Sequence, residues 1–196
     1  MARVNIEICT DPSDIAFERD KSREFLDHWQ ALRNGGPVPR ADAINPGTMK
    51  SLLPQIVIFE LVDENTVRYR LAGTLATKRL GFEPRGLNLI DFTPPALRGE
   101  VRLAFDIAGR HNAGVLTHFT LVYGEEMPAR LELVLLPLAA PEGQPPRVIS
   151  LSTREPYPNT LHEPVIVQRP TNRIDDATVF DIGFGIPHAL LDAYRT

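Results

Sequence analysis

The sequence predicts an α+β domain, and three observations carry that prediction. Two strand-like runs, 55–62 and 66–72, are separated only by a short polar turn. Three more, 115–123, 129–138 and 147–153, follow one another with no helix between them. Helical spacing of apolar residues is confined to other segments, above all 15–33 and 96–111.

Each element has a local cause. Asp11-Pro12-Ser13-Asp14 supplies caps and a proline suited to a helix start. The first helix is expected from Ile15 to Arg33, with Phe25, Leu26, Trp29 and Leu32 on one face among charged residues. Asn34-Gly35-Gly36-Pro37 breaks it, and Pro37 and Pro39 keep the next stretch extended. Asn45-Pro46-Gly47 caps a short helix expected over Thr48 to Leu53. In the hairpin that follows, Asp63-Glu64-Asn65 is the turn, and Val67, Tyr69 and Leu71 alternate with Arg68 and Arg70.

Thr74 to Leu80 is a short helix closed by Gly81, and Gly86 to Phe92 is a loop or short helical segment. Thr93-Pro94-Pro95 opens the long helix, Ala96 to His111, and Asn112-Ala113-Gly114 ends it. The last two strands are joined by the exposed loop from Ala140 to Pro146. Beyond Arg154, Pro156, Pro158, Pro164 and Pro170 argue against regular structure up to about Asn172. A weakly amphipathic terminal helix is expected over Ile186 to Tyr194.

Composition narrows the function. The chain has 196 residues, 43% hydrophobic and 23% charged, with 21 Lys+Arg against 25 Asp+Glu. That mild acidity argues against a nucleic-acid partner, which would call for a basic excess. No window approaches about 18 apolar residues, so no membrane span is expected. The N-terminus lacks a signal-peptide core, and a reducing cytoplasm is the expected location. Cys9 is the one cysteine, which excludes an internal disulfide. The 18 prolines exceed the 13 glycines and punctuate the chain between elements.

The chemical motifs are sparse. His28, His111, His118, His162 and His188 show no pair at helical metal-site spacing, so no metal site is assigned. Gly81-Phe82-Glu83-Pro84-Arg85-Gly86 lacks the Gly-Lys-Ser/Thr ending of a phosphate loop, and no Gly-x-Ser-x-Gly elbow occurs. Arg68/Arg70 and Arg79/Arg85 are too dispersed for a nucleotide-messenger receptor. No catalytic residue is assigned.

Several spaced motifs resemble a known family. Phe25-Leu26-Asp27-His28-Trp29 with Leu32-Arg33, Gly36-Pro37-Val38-Pro39-Arg40, Ile44-Asn45-Pro46 and Leu52-Leu53-Pro54 resemble the opening of a bacterial stand-alone PAS-like (Per-ARNT-Sim) family. Tyr69-Arg70-Leu71-Ala72-Gly73-Thr74 and Gly81-Phe82-Glu83-Pro84-Arg85-Gly86 fit the same pattern. The resemblance runs from about Arg23 to Thr153. It implies a five-stranded antiparallel sheet with helices on one face, preceded by an N-terminal helix. The implied boundaries are an extension over 1–22, the PAS-like domain over 23–155 and a proline-containing tail over 156–196.

The resemblance also implies a sensory, signalling or protein-interaction module, with a small-molecule site between long helix and sheet. Tyr69, Arg70, Phe105, His111 and His118 are the candidate ligand contacts. Arg70 could bind an anion, or sit in solvent opposite Glu60. A covalent flavin adduct is not expected, because no cysteine lies between Thr74 and His111. Haem is not expected either, since His111, ending the long helix, suits that helix's C-terminal partial charge. A homodimer or a partner signalling protein is expected, with Phe25, Trp29 and Leu32 as dimer seam or as core. About 43 residues follow Thr153, which is short for a built-in output domain. The alternative is a small cone-shaped α+β enzyme or apolar-ligand carrier, for which Asp106 and His118 are the acid/base candidates.

Overall fold

The computed structural model describes residues 4–33, 36, 38–44, 47–123, 127–154, 166–167 and 172–195. The helix stop at Asn34-Gly35 and Pro37, the cap at Asn45-Pro46, the link over 124–126 and the prolines from 156 to 170 lie outside the described residues.

The expected strands are β2 (Ile56–Leu61), β3 (Val67–Ala72), β4 (Gly114–Tyr123), β5 (Met127–Leu138) and β6 (Arg147–Arg154). They lie in the order β4-β5-β6-β2-β3 and every neighbouring pair is antiparallel. The sheet does not stop at five strands. Among the described residues it has eight, because β1 (Ile6–Cys9) and β8 (Arg173–Phe180) extend the β4 edge, and β7 (Ile166–Val167) also pairs with β4. The β1–β8 pair is parallel. The segments taken as extension and tail therefore add strands to the same sheet.

β8 escapes sequence patterning for a physical reason. Arg173-Ile-Asp-Asp-Ala-Thr-Val-Phe carries three charges in eight residues, and charges on a strand ordinarily face water. Here Asp175 and Asp176 are held by Arg130, at 3.0 and 3.1 Å. β1 alternates correctly, but its four residues pair only with β8.

Both faces of the sheet are buried. Helix α1 (Asp20–Arg33) packs on one, with Phe25, Leu26 and Trp29 against Ile58, Leu116, Val134, Leu136 and Leu151. Helices α2 (Thr74–Leu80) and α3 (Arg98–Gly109) cover the other, which presents Val57, Phe59, Tyr69, Val115, Leu135 and Val148. The helices between the strands thus share one face, and the preceding helix α1 covers the other. Period-two alternation explains it: Ile56 and Ile58 point to one side, Val57 and Phe59 to the other, and all of β2 is buried. A strand apolar on both sides calls for cover on both sides.

Boundaries shift where side chains intervene. A 3-10 turn at Pro12–Asp14, capped by Asp11 through Ser13 N–H at 2.9 Å, replaces the first turns of the expected helix. Arg23 then donates to the carbonyls of Pro12 and Ile15, at 3.1 and 2.6 Å, holding that corner. A turn and the 3-10 segment Leu53–Gln55 replace the helix expected over Thr48 to Leu53. Pro95–Leu97 is likewise a 3-10 turn leading into α3. Gly81 closes α2 at φ +78°, and α4 (His188–Arg195) ends the described chain.

The α1 stripe is core within the single chain, one of the two roles expected of it. Phe25 and Trp29 are 0% and 1% exposed within one chain, and Leu32 packs half-buried against the same cluster. Trp29 Nε1–H donates to Pro137 O at 2.8 Å, fixing α1 on β5. No described helix is long and apolar enough to cross a membrane.

Candidate functional site

Between α2, α3 and the sheet lies a cavity of ≈ 270 Å³, at the low end for small-molecule sites, which run from about 300 Å³. Its floor is the β4 and β5 face that carries Val115, Thr117 and Phe119 with Leu131, Leu133 and Leu135. Val101, Ala104 and Phe105 of α3 form the roof. Phe59 and Tyr69 form one side, with ring centroids 4.7 Å apart, and Phe105 meets Phe59 edge-on at 4.8 Å. Ile174, Ala177 and Val179 of β8 and Ile6 of β1 form the opposite side. The flanking strands thus complete the cavity.

Gln55, Arg79, Ser150 and Ser152 form one polar group in the lining, and Thr93, Glu100, Thr117, Asn172 and Arg173 add polar atoms elsewhere in it. Arg79 is 6% exposed and donates through Nη1 to Ser152 O at 2.9 Å. Thr93 Oγ1 donates to Leu89 O at 3.0 Å, and Thr117 Oγ1 to Asp176 O at 2.9 Å. Tyr69 is 4% exposed, and burial alone pushes its phenol above the usual tyrosine value, so it stays protonated.

The residues picked from sequence separate. Tyr69 and Phe105 line the cavity. Arg70 does not: Nη1 sits 2.9 Å from Glu60 Oε1 on the other face of the sheet, and Arg147 reaches the same oxygen at 3.3 Å. A register shift between Ile58 and Phe59 accompanies this, with Arg70 skipped in the β2–β3 pairing. His111 lies beyond α3, 3.5 Å from Asp106, half in solvent and away from the cavity. His118 belongs to the opposite face. Asp106 and His118 do not meet, because Asp106 pairs with Arg110 at 2.6 Å.

His118 instead centres an ionic cluster that no local motif announces. Its Nδ1 is 2.6 Å from Asp176 Oδ1 and its Nε2 is 3.1 Å from Glu132 Oε2, with Glu18 at 3.7 Å. Hydrogen bonding to Glu132, with help from Asp176 and Glu18, outweighs burial and raises the His118 pKa. Burial pushes the Glu132 carboxyl up, but bonds from His118, Ser22 and the Glu18 N–H bring it below its usual value. Among the described residues no group of three or more His, Cys, Asp or Glu side chains is arranged to hold a metal.

Ser150 and Ser152 were legible in part, since period two places them on the face of Val148. Gln55 and Arg79 carried no such signal, as each comes from a separate short helical segment.

A family model described as "PAS domain" matches residues 17–152, more than half of the chain. The comparison with curated proteins finds no match. Among solved structures, a Vibrio cholerae VqmA dimer without its target DNA is 15% identical, with a TM-score of 0.41 over 56% of this chain and 49% of that one. A Rhodobacter sphaeroides LOV protein is 12% identical, with a TM-score of 0.38 over 54% and 64%. An RNA-binding Light-Oxygen-Voltage receptor is 16% identical, with a TM-score of 0.41 over 61% and 36%. The chain spans less than two thirds of each of these three.

Proposed function

We propose that this chain, which belongs to the PAS domain family, is a sensory module whose signal is a small molecule held between α3 and the sheet. The observation that supports this is the cavity itself, apolar over most of its lining and closed on one side by strands from both ends of the chain. Apolar surface facing open space in a core gains free energy when a ligand fills it. A ligand that favours one arrangement of α3, β8 and β1 shifts the population toward that arrangement. The change then passes to a second copy or to another signalling protein. The acidic balance of charge supports a partner other than nucleic acid. We place this module in the cytoplasm, with neither haem nor a flavin adduct.

Thermal-shift screening of compact apolar compounds, with native mass spectrometry of freshly purified protein, tests the proposal. A ligand at a hundred times its Kd stabilises by about 2.7 kcal/mol, or roughly 5–10 °C for a chain of this size. Ala104→Phe projects a ring into the cavity and should abolish the shift. Bare protein mass and no shift with any compound would favour a pure interaction module.

The nearly apolar lining also suits an apolar-ligand carrier. Hydrogen exchange separates the two. A sensor changes protection in β1 and β8 on binding, whereas a carrier gains protection only around the cavity.

A further inference from the structure

Tyr69 is the odd member of the cavity. Its side chain is 4% exposed, lines the space, and makes no hydrogen bond among the described residues. Other buried polar side chains there are engaged: Thr93, Thr117 and Arg79 donate to protein carbonyls at 2.9–3.0 Å, Ser150 Oγ to Val57 O at 3.4 Å, and Asn172 Oδ1 accepts from Val122 N–H at 3.0 Å. The hydroxyl oxygen is not sealed in the core, so it takes its partner from whatever fills the space beside it.

The position of Tyr69 is not negotiable. Its N–H donates to Leu87 O at 2.9 Å, and its carbonyl accepts from Gly86 N–H at 2.7 Å. Phe59 holds the ring from one side. The phenol cannot ionise near neutral pH, so it offers one donor. The walls are mostly aromatic and aliphatic, and the charged residues that reach the lining, Arg79, Glu100 and Arg173, include both signs, which favours an uncharged, largely apolar ligand over an ion.

We propose that the cavity takes an uncharged, compact, mostly apolar molecule bearing one hydrogen-bond acceptor, and that the Tyr69 hydroxyl donates to that acceptor. This deepens the sensory proposal and rests on it. Selectivity follows from the donor. An isostere lacking the acceptor leaves the phenol unpaired in the complex and binds less tightly.

Acetophenone and α-methylstyrene, which differ by an oxygen in place of a methylene, are the test pair, with benzoate as the anionic comparator. Binding is measured by calorimetry and ligand-observed NMR on the full chain and on Tyr69→Phe. Wild type should bind acetophenone roughly ten-fold more tightly than α-methylstyrene. Tyr69→Phe should remove that preference while still binding α-methylstyrene, which also shows that the variant is folded. Equal binding of the two by wild type overturns the donor role and leaves the sensory cavity intact. Benzoate binding tightest overturns the uncharged class. Binding of none of the three overturns this proposal and counts against the sensory proposal as well.

Discussion

His118 and Glu132 face each other across β4 and β5, Nε2 to Oε2 3.1 Å apart, on the side of the sheet away from the cavity. Glu132 also accepts from the Glu18 N–H at 2.6 Å. The pair therefore anchors the segment entering α1, and Asp176 joins β8 to it through His118. Arg130 adds contacts at 3.0–3.1 Å to Glu18, Asp175 and Asp176.

Stability should fall on the alkaline side. The His118 pKa is raised in the folded chain above 6.5, so its contribution is complete below that value and is lost as pH rises through the folded value. The Glu132 pKa is lowered from 4.5, so its contribution is present above 4.5 and is lost as pH falls through the folded value. Urea melts at pH 5.5, 7 and 8.5 should show stability declining across that series. His118→Gln should flatten the decline and lower stability by about 2–3 kcal/mol at pH 5.5, the loss of a charge-assisted bond. An unchanged slope in the variant would remove His118 as its source.

Trp29 should be worth its burial to the single chain. Trp29→Ala should cost about 3–5 kcal/mol and Trp29→Phe less, mainly the bond to Pro137 O. Because the stripe is intrachain core, the loss should be equal at low and high protein concentration. A loss that grows on dilution would mean that the stripe meets a second copy. As the only tryptophan, Trp29 also reports on itself through its fluorescence.

Gly114 should tolerate no side chain. It pairs with Phe180 across β4 and β8, and the Phe180 ring occupies the place of a Cβ at Gly114. Gly114→Ala should destabilise by about 1–3 kcal/mol through overpacking. Adding Phe180→Leu should recover part of that loss in a double-mutant cycle. Independent, additive losses would mean that β8 packs elsewhere.

Arg70 should matter little to ligand. Its side chain is 48% exposed and pairs with Glu60 away from the cavity. Arg70→Ala should change stability by less than about 1 kcal/mol and leave acetophenone binding unaltered. Arg147→Ala should cost more, about 2–3 kcal/mol, because Arg147 and Glu60 are both nearly buried and the carboxylate loses its inner partner. Weakened acetophenone binding in Arg70→Ala would return the arginine to the site.

The order of helices and the five inner strands was readable from the chain, because each rests on local causes. β2 and β3 follow from apolar patterning around the Asp63-Glu64-Asn65 turn, and α2 from a helical segment closed by Gly81. Tyr69 and Phe105 reached the cavity for the same reason: alternation and helical spacing set the face on which a residue sits. Tertiary structure decided the rest. Of the two places the sequence left open for Arg70, the fold takes the one opposite Glu60, on the far face. β8 became a strand because Arg130 from β5 and His118 from β4 neutralise its aspartates. α1 covers the second face because β2 is apolar on both sides, which decided for core between the two roles open to its stripe. The β8 and α1 outcomes depend on groups tens of residues apart in sequence, and local pattern holds no information about which of them will meet.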